Sequence, residues 1–238
     1  MKIVSGRTGS PHVTSQQFRQ MLEGIIGQGS YIITSGENLK PELSSNNLLK
    51  IRSGMMAHHG CISCVDIGTY DEVTLTNGSQ GMKRIDLIVN RYTRNAETEV
   101  ENCSWKVIQG KPVASNPAVP AYTSGNLQNG DLVDECPAFE VHYDGINVTE
   151  VKSLLSVTDG LSGLSSNLKS ISADSGWQYM TASNLSEKLK FRKVGHTVYV
   201  AGSLRFSDNG KFANDQALGS VPSGMTPNGY GDFECLIP

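Results

Sequence analysis

The apolar and polar positions of this chain follow a helical period near the amino terminus, a strand-like period through the first half, and a heptad period in the middle. Thr14 and Gln17 are spaced as a capping box, and Phe18, Met21, Leu22, Ile25 and Ile26 recur at helical intervals before Gly27 closes the run. The spacing predicts an amphipathic helix packing its apolar side on a sheet. Strand-like runs follow at residues 31–34, 48–52, 61–67, 72–76, 84–92, 104–109 and 138–143. Asn77 and Gly78 mark a turn before 84–92, with too many intervening residues for a tight hairpin. Residues 112–124, rich in Pro, Ala and Ser, read as a loop. The pattern predicts one α+β, mostly antiparallel domain over residues 1–150.

Beyond it, Leu154, Val157, Leu161, Leu164, Leu168 and Ile171 alternate at steps of three and four. Leu154, Leu161 and Leu168 take the a positions of a heptad, and Val157, Leu164 and Ile171 the d positions. This spacing predicts a parallel coiled-coil stalk over 151–175, with a lean towards three or four strands. The flanking Thr158, Gly160, Ser165 and Asn167 offer no interhelical ion pairs. Each buried seam residue would contribute about 1.5–3 kcal/mol, and Gly160 and Gly163 would each cost about 1 kcal/mol. Such a stalk would need oligomerising domains beside it. The alternative is an amphipathic helix lying on the chain's own core.

A polar linker at 172–176 precedes a second β pattern. Leu189, Phe191, Val198 and Val200 flank Gly195 and His196 as a hairpin, and 233–237 is strand-like. Residues 176–238 read as the start of a β-sandwich-like domain. Roughly 60 residues are few for a complete sandwich core, so the expectation is that the polypeptide continues beyond residue 238.

Composition narrows the function classes. With 238 residues, 38% apolar content and 25 Gly, the chain suits one or two turn-rich globular domains rather than a disordered one. A net charge of −3 without a long basic cluster argues against nucleic acid. No apolar run is long enough to insert in a membrane, and the opening residues carry no signal-peptide core, so the expectation is synthesis in the cytoplasm. Cys61, Cys64, Cys103, Cys136 and Cys235 are an odd set, expected to be reduced and mostly buried.

Three constellations invite chemistry. His58, His59, Cys61 and Cys64 contain enough ligands for tetrahedral zinc. On a strand, however, Cys61 and Cys64 would face opposite ways and no second pair follows, so no metal and no cofactor are expected. Arg84 and Asp86 share one face of a strand, either as an intrachain ion pair or as a contact across an oligomer. Trp177, Tyr179, Tyr199, Phe206 and Tyr230 could stack on sugar rings or fill a core. No nucleophile elbow, phosphate loop or evident carboxylate pair supports an enzyme.

Residues 6–14, Gly-Arg-Thr-Gly-Ser-Pro-His-Val-Thr, resemble the amino-terminal domain of tail-tip proteins from phages of Gram-positive bacteria. The helix ending at Gly27 with the strand at 31–34, the run Arg84-Ile85-Asp86-Leu87-Ile88-Val89 with Arg91 and Tyr92, and the Pro-rich 120–122 are similar to segments of the same family in the same order. Segments 189–203 and 221–227 are similar to a β-rich distal domain of phage fibres, and 55–64 departs from the family pattern. The resemblance implies a homotrimeric virion protein of a tail fibre, baseplate or phage-tail-like particle. Its amino-terminal domain would dock on other baseplate or tail proteins, and its distal domain would bind a host cell-surface glycan through residues the family pattern does not identify. A tail-borne polysaccharide hydrolase and a purely scaffolding connector are the alternatives.

Overall fold

The computed structural model describes Val4 and residues 13–208, 210–211 and 217–226. Residues 6–12 of the opening motif, Tyr230, Cys235 and the strand-like 233–237 lie outside the described residues. Helix α1 spans Ser15–Ile26 and forms with its capping box in place. Thr14 Oγ1 accepts from the Gln17 N–H and Gln17 Oε1 accepts from the Thr14 N–H, each at 3.1 Å. At the other end Gly27 donates its N–H to the Glu23 carbonyl at 2.8 Å with a φ of 113°.

The face on which α1 rests differs from the one its spacing predicts. Phe18, Met21 and Ile25 are exposed, and Arg19 is the buried residue. Its guanidinium pairs with Glu101 at 2.9 Å and lies 5.7 Å from the centre of the Tyr92 ring. An arginine can bury its aliphatic stem and still satisfy its charge, so the helix docks through Arg19 with Leu22 and Ile26 half-buried beside it.

Eight strands follow: β1 Ser30–Ile33, β2 Pro41–Ser45, β3 Leu48–His58, β4 Cys61–Thr74, β5 Lys83–Arg94, β6 Glu101–Ile108, β7 Val133–Asp144 and β8 Asn147–Ser153. Every pairing between them is antiparallel. In one sheet β3 is central, with β4 along one edge and β1 and β2 sharing the other; the second runs β6-β5-β7-β8. The inner faces meet in one core, with Ile32, Leu49, Ile51, Met56 and Val73 from the first sheet and Ile88, Ala138, Phe139 and Val141 from the second. Strand β5 lies between two partners and is buried on both faces from Arg84 to Asn90, which accounts for its nearly continuous apolar run. Opposite Ser53, residues 66–69 of β4 bulge outward, so the runs read as 61–67 and 72–76 are two halves of one strand.

The midsection overturns the expected stalk. The described residues are mostly β, with 45% of them in strands and 11% in two short helices, and among them no helix is long enough for a coiled-coil stalk. Leu154 and Val157 are not helical. The Leu154 N–H donates to the Ala138 carbonyl at 2.9 Å, and Val157 forms a parallel bridge with Ile32, flanked by Ile32 N–H to Ser156 O at 2.9 Å and Thr158 N–H to Ile32 O at 2.8 Å. Leu161, Leu164, Leu168 and Ile171 do share a helix, α2, but it covers only Leu161–Ser172. A Ser-rich, Gly-containing segment is a weak helix former, and the free edge of β1 offers residues 156–158 backbone partners that a helix there would forgo.

The chain divides into two compact units, Met1–Gly160 and Leu161–Pro238. Besides α2, the second contains β9 Gln178–Tyr179, β10 Leu185–Glu187, β11 Lys190–Val194, β12 Thr197–Ala201 and β13 Arg205–Phe206. β11 and β12 form the hairpin around Gly195 and His196, β9 adds to β11, and β10 pairs with β13. Met180, Leu185, Phe191, Phe206 and Met225 make its small core. Among the described residues no helix is long and apolar enough to cross a membrane.

Candidate functional site

A cluster of ionisable side chains sits where the β3–β4 hairpin meets β7. His58 pairs with Cys61 across a two-residue turn in which His59 and Gly60 both have positive φ, 48° and 74°. This is the hairpin turn that follows strand twist, and Asn-Gly is its usual sequence. Gly60 is required for a second reason: a Cβ there would run into the Arg19 carbonyl oxygen of α1. The turn directs both imidazoles at one carboxylate of β7. His58 Nε2 lies 2.9 Å and His59 Nδ1 3.1 Å from Asp134 Oδ2. The two rings stack with centroids 4.0 Å apart and planes 30° from parallel.

Two of the three members are fixed from behind. Ser30 Oγ on β1 lies 2.6 Å from His58 Nδ1, and the Gly125 N–H donates to Asp134 Oδ1 at 2.8 Å. Burial pushes the Asp134 carboxyl up, but the close His58 imidazole, the Gly125 amide N–H and His59 outweigh it and hold it at about 2. The neighbouring Glu135 accepts from Lys106 Nζ at 2.8 Å and from the Thr123 N–H at 2.8 Å, pinning the Pro-rich loop to β7.

The four residues expected as possible metal ligands are not brought together. Cys61 turns towards Cys103 on β6, and Cys64 is exposed, its Sγ 3.9 Å from Asp66 Oδ1. His58 and His59 gather instead around Asp134, which lies too far along the chain for spacing to reveal. A cue was present: Asp134 and Glu135 open the otherwise apolar strand 136–139, where buried acids need partners. Among the described residues the thiols are free, but only Cys136 is fully buried, its thiol pushed up to about 11 by burial. Cys61, hydrogen-bonded by Cys103, is lowered despite its own burial. Both line an open cleft of ≈ 640 Å³ between β4 and β6, with Asn90, Tyr92, Glu101 and Trp105.

Arg84 and Asp86 form a buried intrachain pair, with Nε to Oδ1 at 2.8 Å and side chains 3% and 0% exposed. In the second unit Trp177, Tyr179 and Tyr199 are exposed, whereas Phe206 is in the core. The register sets Tyr179 opposite Lys190, and Arg192 opposite Tyr199, so these four occupy one sheet face. Lys190 Nζ lies 5.0 Å from the Trp177 ring centre. Arg192 donates through Nε to Asp174 at 2.9 Å, and that bond together with the Gly176 N–H holds Asp174 at about 2.

This pair gives a prediction whose sign is fixed. A depressed carboxylate contributes stability above its ordinary range and loses it as pH falls through the folded value. An NMR titration of Asp174 is expected to give a midpoint near 2, rising in Arg192→Gln towards the ordinary value of about 4 but staying below it because the Gly176 N–H remains. An unchanged midpoint in the variant would remove the guanidinium as the cause.

No protein-family model matches the chain, and a comparison with curated proteins finds no significant match.

Proposed function

We propose that this chain is a structural and attachment component of a phage tail tip, baseplate or related phage-tail-like particle, acting as a homotrimer that engages other tail proteins and a host cell-surface glycan. The observation that carries the reading is the outer face of the β9-β11-β12 sheet. Trp177, Tyr179 and Tyr199 stand exposed there beside Lys190 and Arg192. Aromatic rings with polar neighbours are suited to stacking on the apolar faces of sugars while hydrogen-bonding their hydroxyls. Uncovered apolar stripes support assembly: Phe18, Met21 and Ile25 on α1, and Leu161, Leu164, Leu168 and Ile171 on α2. Large apolar side chains aligned on a surface mark a site of protein contact. Weak single sugar sites gain strength when several copies present them together.

Two measurements test this. Light scattering at micromolar concentration is expected to give three times the chain mass, and a monomer would overturn the trimer. Incubation of the protein with host cell-wall glycan is expected to give retention without cleavage, abolished by combined Tyr179→Ala and Tyr199→Ala. Release of soluble fragments would make the protein a hydrolase, and neither retention nor release would leave it a connector.

A further inference from the structure

The geometry points to a zinc site built from His58 Nε2, His59 Nδ1 and Asp134 Oδ2. The three donor atoms lie within 4.8 Å of one another. Tetrahedral zinc, with bonds of about 2.0–2.2 Å, holds its ligands roughly 3.3–3.5 Å apart. The two nitrogens already stand at 2.9 and 3.1 Å from the shared oxygen, so a small outward shift of each would admit the ion.

A second observation separates this cluster from an ordinary histidine–aspartate contact. His58 Nε2 is shut off from solvent and makes no hydrogen bond, although Asp134 Oδ2 is only 2.9 Å away. A buried imidazole nitrogen without a partner costs about 1–3 kcal/mol. A metal ion between Nε2 and Oδ2 would satisfy it. The outer contacts are those a metal-binding imidazole needs: Ser30 holds His58 Nδ1 and so leaves Nε2 as the ligand, while the Gly125 amide holds Oδ1 and leaves Oδ2. His59 sits in the left-handed region, which His, like Asn and Asp, enters more readily than most side chains. It is the residue whose placement the turn has to arrange.

The donor set excludes the hard cations and suits zinc, a set that iron(II) also uses. Two imidazoles and one carboxylate are too nitrogen-rich for calcium or magnesium, and zinc accepts three protein ligands with water in the fourth position. His59 is 35% exposed, so the fourth position is open to water from its side. The ion would tie the tip of the β3–β4 hairpin, on which α1 rests, to the start of β7. The proposal stands on these residues alone and is independent of the tail-tip reading.

The test uses the full chain without a polyhistidine tag, stripped with chelator and titrated with zinc by calorimetry and with cobalt(II) by absorption. One zinc per chain is expected, with a dissociation constant on the order of micromolar or tighter. Tetrahedral cobalt bands are expected without a thiolate charge-transfer band. His59→Asn keeps a residue that tolerates the left-handed turn and is expected to weaken binding by more than about tenfold with an unchanged circular dichroism spectrum. Asp134→Asn is expected to weaken it likewise. Three results would overturn the site: no binding in the micromolar range, equal affinity in His59→Asn, or a thiolate band that places the ion on cysteine.

Discussion

Replacing Asp86 by alanine is expected to lower the unfolding free energy of the first unit by about 3–5 kcal/mol, read from urea denaturation. Asp86 is fully buried and accepts from Arg84 Nε at 2.8 Å, Arg84 Nη2 at 3.0 Å and the Gly110 N–H at 2.9 Å. Its removal leaves a guanidinium, 3% exposed, held only by the carbonyls of Thr76 and Asn77 and by the Tyr143 ring, whose centre is 4.3 Å away. The Gly110 amide loses its acceptor as well. Water cannot solvate the stranded charge, and the low dielectric that strengthened the pair then works against it. The double substitution Arg84→Met, Asp86→Leu removes both charges and is expected to cost less than the single one. A single-variant loss below about 1 kcal/mol would match an exposed pair and contradict the burial of this one.

Phe139→Ala is expected to cost a comparable 3–5 kcal/mol or so. The ring is 1% exposed and lies in the core shared by both sheets, 6.0 Å from the Trp105 ring at 48°. Leu49, Ile51, Ile88 and Val141 of the same core come from β3, β5 and β7, central or doubly paired strands that cannot collapse inward without breaking ladder bonds. A cavity therefore remains, and dispersion contacts are lost on every side. Thermal denaturation measures the loss, and the near-ultraviolet circular dichroism of Trp105 is expected to fall with it. A change no larger than that of a surface substitution would mean that the sheets do not pack through this ring.

How far the sequence disclosed these features depended on the range of the interactions involved. The capping box of Thr14 and Gln17, the hairpin at Gly195 and His196, and the apolar run of β5 rest on neighbours a few residues away, and all three form. The facing of α1 does not. It hangs on Arg19 meeting Glu101 and on Gly60 meeting the Arg19 carbonyl, contacts between distant segments. Hydrophobic spacing located the helix but could not orient it. The heptad misled because steps of three and four record only which residues are apolar. Val157 satisfies that spacing while pairing as a strand, and Leu154 while bonded to β7. At the candidate site two of the four residues singled out by sequence belong to the cluster, and the third member, Asp134, comes from the opposite sheet. Arg84 and Asp86 were legible as a pair, but their burial follows from the strands on either side of β5.

The bridge between Val157 and Ile32 sets how the first unit answers a pull on its ends. Residues 156–158 leave the unit running in the same direction as β1, the strand by which the chain enters it after α1. Tension applied through the two chain ends therefore slides these segments along one another. Their cross-links at Ser156 and Thr158 carry the load side by side and must give way together, whereas an antiparallel exit would let them peel apart in succession.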